Sequence, residues 1–280
     1  MGKLIRLIVF FILLSSKLIS QEYRIFYDYS YKKDSTKIDS IENRLMVLDI
    51  DKKGSIFYDY YKYKKDSLNI AMYYKDFHFI DVSTIKVNFF IEKQYPNFKT
   101  IMYTYLHSNN YAILDSTKLN WKLSSEHIEI KGYKAQKAML NFGGRKWIAW
   151  YTIDIPVFEG PYKFSGLPGL ILEVRDLENN HIFKFVGIEK NNTGYSNFFK
   201  IHKFNNKTIN NKTFNKLWNE FKKDPAKNYK FSILNSSVKA SMSFDGKSFS
   251  QNDVIRDIEK TEYEKIKKNN NFIELDSILS

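Results

Sequence analysis

Five histidines, at positions 78, 107, 127, 181 and 202, are the side chains best suited to move a proton near neutral pH or to hold a metal. Each stands at least 20 positions from the next, so no HxH or HxxxH pair exists to clamp an ion from one strand or helix. No metal site and no cofactor follow from them. Cysteine is absent altogether, which removes thiol nucleophiles, zinc-thiolate and iron–sulfur ligation, disulfides and a lipid-modified amino-terminal cysteine. Glu126 and Glu129 flank His127, an ordinary surface pattern. A hydrolase would need acids and a histidine gathered from separate strands, for instance Glu173, Asp176 and His181.

The named motifs fail on inspection. Asp49-Ile50-Asp51-Lys52-Lys53-Gly54 starts like a calcium loop, but Lys53 occupies an oxygen-ligand position and Tyr60 stands where a bidentate Glu is required. A turn between strands is the better reading. Gly246-Lys247-Ser248 resembles the end of a phosphate loop, yet the earlier glycine is replaced by Ser241. Gly194-Tyr195-Ser196-Asn197-Phe198 ends in Phe where a nucleophile elbow needs Gly. No complete catalytic constellation remains.

One segment is chemically distinctive. Residues 155–171, IPVFEGPYKFSGLPGLI, pack three glycines and three prolines among aromatics and run directly into a strand. Pro161 and Pro168 fix two backbone angles, whereas Gly160, Gly166 and Gly169 permit turns or close approach. Pro168-Gly169 suits the centre of a type II turn. The whole is either a turn closing one end of a sheet or a rigid surface for a ligand or partner.

The elements that must position this loop are strands. In KWIAWYTIDI, Trp147, Ala149, Tyr151 and Ile153 share one face; in LPGLILEVRD, Leu170, Leu172 and Val174 do. Gly143-Gly144 closes one hairpin, and residues 176–180, DLENN, close another before Phe183 and Phe185. Earlier strands are expected at 23–31, 44–50, 55–60, 77–81, 88–92 and 111–114. Strand follows strand without helical crossovers, which predicts an antiparallel sheet. The last third changes period. Thr213 is expected to cap a helix whose Phe214, Leu217, Trp218 and Phe221 form a buried stripe, ending at Asp224-Pro225. A second helix is expected over 252–268. Asparagine clusters, including Asn269 to Asn271, read as solvated loops.

The chain opens with Lys3 and Arg6, an apolar run from Leu7 to Leu14, and small Ser15, Ser16 and Ser20. Too short to span a bilayer, the run has the length of a signal-peptide core, with cleavage expected between Ser20 and Gln21. Residues 1–20 are thus a signal peptide, and 21–280 one domain, mainly β over 21–205 and helix-containing over 206–280. No later stretch is apolar enough for a membrane helix, and export to the periplasm or beyond is expected. Lys and Arg exceed Asp and Glu by 13. Lysines are interspersed with acids, and Lys, Asn, Ile, Tyr and Phe are the residues of AT-rich codons, so no nucleic-acid partner is inferred.

The string GLPGLI at 166–171, with GYKAQKA at 132–138, GRKWIAWYT at 144–152, IPVFEGPYKF at 155–164 and the following LEV strand, resembles the GLPGLI family of exported Bacteroidota proteins. The late NNNFIEL at 269–275 is similar to a weaker mark of that family. Ala135 stands where relatives often carry cysteine, so no thiol role transfers. The resemblance implies export and a shared fold, including Gly160, Pro161, Gly166, Leu167, Pro168, Gly169, Leu170 and Ile171 as a structural motif, and no catalytic residues. The late hairpins are also similar to LolA-like half-barrels. The expected fold is mainly β, a curved antiparallel sheet or half-barrel with two carboxyl-terminal helices packed on it.

For function, the leading expectation is a non-enzymatic envelope protein binding an apolar ligand or another envelope protein. Trp147, Trp150, Tyr162, Phe164 and Leu167 are the residues expected to contact it, because a rigid loop presenting rings lowers the ordering cost of binding. The competing class is the hydrolase built on His181. The sequence sets no oligomeric state.

Overall fold

The computed structural model describes residues 22–37, 39–61, 89–106, 109–190, 206–235, 242–244 and 247–275. The amino-terminal run, the strand expected at 77–81, His78, His107, His202, residues 194–198 and Gly246 lie outside them.

Twelve strands form one open, curved sheet: β1 (Tyr23–Lys32), β2 (Ile41–Asp51), β3 (Gly54–Asp59), β4 (Phe90–Gln94), β5 (Lys99–Leu106), β6 (Asn109–Asp115), β7 (Lys122–Ile130), β8 (Tyr133–Phe142), β9 (Arg145–Thr152), β10 (Leu170–Asp176), β11 (His181–Lys190) and β12 (Lys207–Asn210). Their order is β12-β6-β5-β4-β3-β2-β1-β11-β10-β9-β8-β7. Two meanders therefore meet at β1 and β11, where Tyr27 faces Phe185 and Tyr29 faces Phe183. Among the described strands all pairs are antiparallel except β12 with β6, which is parallel.

Connectivity alone demands the curvature. Only residues 116–121 join β6 to β7, yet these strands stand ten places apart in the sheet. In a flat sheet they would lie about 48 Å apart at about 4.8 Å per strand. Seven Cα steps reach at most about 25 Å. The sheet must curl until its flanks approach each other.

Period-2 alternation then sends one residue set inward. Ile25, Tyr27 and Tyr29 of β1, Trp147, Ala149 and Tyr151 of β9, Leu170, Leu172 and Val174 of β10, and Phe183 and Phe185 of β11 share one cluster. Ile153, expected to continue the β9 face, lies beyond the strand end and is exposed. A second cluster, with Val47, Ile56, Tyr58, Phe90 and Tyr103, uses the alternate residues of β2 to β5. β2 and β3 are thus buried on both faces along much of their length.

The hairpins follow the expected chemistry. Gly143 and Gly144 hold φ of 62° and 71°, the positive pair that a two-residue turn requires. Asp51 Oδ1 accepts from the backbone N–H groups of Lys53 and Gly54 at 2.7 and 3.1 Å, so the failed calcium motif is a β2–β3 turn. Pro168-Gly169 does not form a type II turn: the Gly169 N–H donates to Leu167 O at 2.8 Å across a three-residue turn.

Among the described residues three helices follow: α1 (Asn211–Lys223), α2 (Lys227–Asn235), which the sequence did not lead one to expect, and α3 (Gln251–Lys268). Between α2 and α3, β13 (Met242–Phe244) and β14 (Lys247–Phe249) make a separate antiparallel hairpin, so Lys247 and Ser248 lie on a strand and not in a phosphate loop. Asn210, not Thr213, caps α1 by accepting from the Thr213 N–H at 2.8 Å. Ser250 and Asp253 form a reciprocal capping box on α3. The α1 stripe is half-buried, not buried: Phe214, Leu217, Trp218 and Phe221 pack on Leu106, Tyr111 and Ile113 while leaving ring surface toward a cavity. Among the described residues no helix is long and apolar enough to cross a membrane.

Candidate functional site

The loop between β9 and β10 fills the hollow of the sheet. Ile155, Tyr162, Phe164 and Leu167 join the cluster formed by the inward strand residues. Burial of Phe164 and Leu167 favours this docking by about 1.5–3 kcal/mol each. Hydrogen bonds fix its path. Tyr27 Oη donates to Ile171 O at 2.7 Å, Trp121 Nε1 to Ser165 O at 2.9 Å, and the Gly166 N–H to Phe158 O at 2.9 Å.

Three buried charge networks hold the same region, and the sequence reading missed all of them. In the first, Lys93 Nζ donates to Glu159 Oε2 at 2.6 Å and to Gly160 O and Phe164 O at 3.0 Å each. Ser55 and Tyr95 donate to the other Glu159 oxygen at 2.8 and 2.6 Å. Burial pushes the Lys93 ammonium below its ordinary value, with Glu159 pulling the other way. In the second, Lys163 Nζ stands 2.6 Å from Asp115 Oδ2 and 2.5 Å from Glu274 Oε1. Although burial works against its charge, the two carboxylates raise Lys163 above its ordinary value. Tyr162 donates to Glu274, and burial together with that carboxylate raises the phenol.

The third network centres on Arg145. It donates to Asp176 Oδ2 at 3.0 Å, to Asn271 Oδ1 at 2.5 Å and to Phe272 O from Nε and Nη2 at 3.1 and 2.8 Å. Asp176 Oδ1 accepts from the His181 backbone N–H at 2.8 Å. The imidazole itself meets Tyr29, whose hydroxyl lies 2.8 Å from Nδ1.

The second and third networks join the carboxyl-terminal strap, residues 269–275, to the sheet and its loop. The Leu275 N–H donates to Gly143 O at 2.7 Å, and Asn271 Nδ2 to Lys32 O at 3.0 Å. Asn271 is therefore a buried structural residue and not part of a solvated loop. Between strap, α1, α3 and sheet lies a cavity of about 380 Å³. Tyr29, Tyr162, Lys163 and His181 line it from the sheet and loop, Phe214 and Trp218 from α1, and Phe272 to Glu274 from the strap. That volume falls within the about 300–1,000 Å³ of small-molecule sites. A more open groove of about 710 Å³ beside the Gly143-Gly144 hairpin shares Asn211, Asn215 and Glu274 with it.

Of the five residues expected to contact a ligand, only Tyr162 lines this cavity. Trp147, Phe164 and Leu167 are buried at 1%, 0% and 1% exposure, filling the core beneath it. Trp147 Nε1 donates to Phe142 O at 2.9 Å, and its ring lies 4.7 Å from that of Phe164. Trp150, half-buried, faces Lys137 at 6.0 Å. The periodicity that marked these rings is the signature of a core face, and Tyr162 and Phe164 of the loop turn inward with it, whereas Phe158 is exposed.

The acid–histidine set of the hydrolase reading is not assembled as a dyad or triad. Asp176 accepts from the backbone of His181 and from Arg145, while Glu173 stands 3.5 Å from Arg175. His127 is exposed and bonds to Ser125 O. Burial, then the Arg145 charge, lowers His181 to about 3 from its ordinary 6.5. Between those values the unfolded chain binds a proton that the folded one does not, so stability is full above pH 6.5 and falls as the pH drops toward 3. The expected slope is up to about 1.4 kcal/mol per pH unit. Urea midpoints of the parent and His181→Gln at pH 7, 6 and 5 measure it; an equal pH dependence in both would exclude His181 as the cause.

A family model described as "Protein of unknown function (Porph_ging)" matches residues 143–173, which run from the β8–β9 turn through the inserted loop to β10. No curated protein matches. Among solved structures, PNGF-II in the P21 space group is similar at 18% identity and a TM-score of 0.50, over 70% of this chain and 32% of that one. PNGF-II in the C2 space group aligns at 18% identity and a TM-score of 0.47, over 68% and 31%. The chain thus spans about a third of the length of PNGF-II, and at this identity the likeness is one of fold.

Proposed function

We propose that this chain is an exported, non-enzymatic envelope protein of GLPGLI type that holds a small, largely apolar ligand between its sheet and its carboxyl-terminal helices. The observation that carries this reading is the cavity of about 380 Å³, walled by Tyr29, Phe89, Met102, Phe214, Trp218 and Phe272. A mostly apolar hollow with a few polar groups is the usual form of a small-molecule site. Its walls are braced by the buried networks of Lys163 and Arg145, so little ordering remains for a ligand to impose. Export rests on the amino-terminal apolar run and on the family that the GLPGLI segment resembles.

Purification from the native envelope, followed by mass spectrometry, tests the proposal. A stoichiometric apolar small molecule is expected, released on unfolding. A co-purifying envelope protein with no small molecule would transfer the role to protein interaction. Repeated purifications that yield neither would end both forms of it.

A further inference from the structure

Sheet, loop, strap and α1 each give the cavity a firmly held wall. Tyr29 of the sheet belongs to the main core cluster, the loop is fixed by the buried ion pair of Lys163, and Arg145 grips the strap. On α1, Phe214 and Trp218 pack on Leu106, Tyr111 and Ile113. The remaining wall, Glu262, Lys265 and Ile266 of α3, is held differently. No residue of α3 is buried, and none belongs to any of the hydrophobic clusters. The helix packs chiefly on α2. Among the described residues, two side-chain polar contacts tie α3 to other elements: Tyr263 Oη donates to Lys223 O at 2.7 Å, and Glu259 pairs with Lys230.

The helix is nonetheless built to keep its form. Ser250 and Asp253 cap its start, and lysines 265, 267 and 268 fill its last turn, where the helix dipole favours cations. Its other ion pairs are internal: Arg256 with Asp253, Lys265 with Glu262 and Lys268 with Glu264. α3 can therefore leave its seat without stranding a buried charge. The chain becomes pinned one residue beyond its C-cap, Asn269. Asn270 Oδ1 accepts from the Ser35 N–H at 2.8 Å, and its Nδ2 donates to Asp34 Oδ1 at 3.1 Å. Residues at the end of an element are the usual hinges of a moving segment. We infer that α3 is the gate of the cavity: it turns about Asn269, with Tyr263–Lys223 and Glu259–Lys230 as its catches, to admit and release the ligand. This inference rests on the small-ligand reading of the same cavity and adds the route by which the site fills.

Because the chain lacks cysteine, opening can be measured without a ligand. Ile273→Cys sets a single thiol in the cavity wall, at a position only 7% exposed, and its labelling by a maleimide reads how often the cavity opens. Stopped-flow fluorescence of Prodan, a neutral naphthalene dye, reads entry and exit. Tyr263→Phe and Glu259→Gln each release one catch on a helix without buried residues, and melting curves establish that both variants fold. Each should speed labelling about twofold to fivefold, the worth of one solvent-accessible contact. Prodan entry and exit should quicken by the same factor and leave Kd unchanged, because the catches are closed in the free and the bound protein alike. Lys268→Ala, which removes a pair within the helix, should alter no rate. Labelling and dye rates unmoved by both catch substitutions would overturn the gate. So would a weakened Kd at an unchanged entry rate, the mark of a wall that merely touches the dye. Quickened labelling in a protein that binds no Prodan would instead overturn the small-ligand reading, while the motion of α3 stands.

Discussion

Gly169→Val should prevent the protein from folding to a cooperative native state at ordinary temperature, whereas Gly166→Val should fold and melt a few degrees early. The two glycines belong to one loop but meet different constraints. A Cβ added at Gly169 would stand 1.9 Å from the Thr152 carbonyl oxygen and 2.6 Å from its carbon. Both are backbone atoms of β9, paired through Leu170 and Thr152 to the strand that the loop enters, so no side chain can swing aside. Relief requires separating β9 from β10 at their pairing end, beneath which Leu170, Phe164 and Trp147 are buried. A loss on the order of 4 kcal/mol or more is expected. At Gly166 nothing stands within 4 Å of the added atom, and the cost is conformational only, since its φ of +86° suits glycine. That amounts to about 1–2 kcal/mol, or roughly 2–4 °C per kcal/mol in a domain of this size. Parallel thermal melts check the pair. Equal shifts would mean that the strand approach at Gly169 is not what the glycine serves.

How far the fold could be read beforehand follows from which faces are buried. β8 to β11 alternate clearly because one face packs on the core, and their hairpins carry glycine or Asx chemistry at the turns. β7 escaped because it is an edge strand with almost no buried residue, so Lys122–Ile130 carries no period at all. β5 escaped for the opposite reason. Ile101 and Tyr103 feed one cluster while Met102 packs on another, which blurs the alternation between faces. Curvature was expected from a likeness, yet the short β6–β7 connection demands it once the strand order is known. The buried charges were not legible. Glu92-Lys93 reads as the polar end of a strand, and only the three-dimensional approach of Glu159 makes Lys93 an interior residue. Asn271 likewise looks like loop until Arg145 reaches it from the hairpin. The cavity combines α1, a strap over 120 residues after the hairpin it grips, and a histidine, which no local pattern joins.

Lys93→Met should destabilise the protein by about 3–5 kcal/mol, and adding Glu159→Leu should restore a large part of that loss. The pair is almost completely buried, at 0% and 1% side-chain exposure, and every contact of the ammonium is to Glu159 or to its loop. Removing Lys93 leaves an uncompensated carboxylate, with Ser55 and Tyr95 still bonded to one oxygen and nothing of opposite charge at the other. Replacing both partners with apolar side chains removes the stranded charge, although the hydroxyls of Ser55 and Tyr95 then lose their acceptor. Restoration should therefore fall short of the parent by about 1–3 kcal/mol. Lys93 has a second task that the double variant does not recover. It ties the carbonyls of Gly160 and Phe164, which bracket Tyr162 and Lys163 of the cavity wall. The double variant should thus regain stability while amide hydrogens of residues 160–166 exchange faster than in the parent. Chemical denaturation of the parent, both single variants and the double variant measures the first effect, and native-state exchange the second. A double variant no more stable than Lys93→Met would mean that stranded charge is not the source of the loss. Unchanged exchange over 160–166 would release Lys93 from any part in shaping the site.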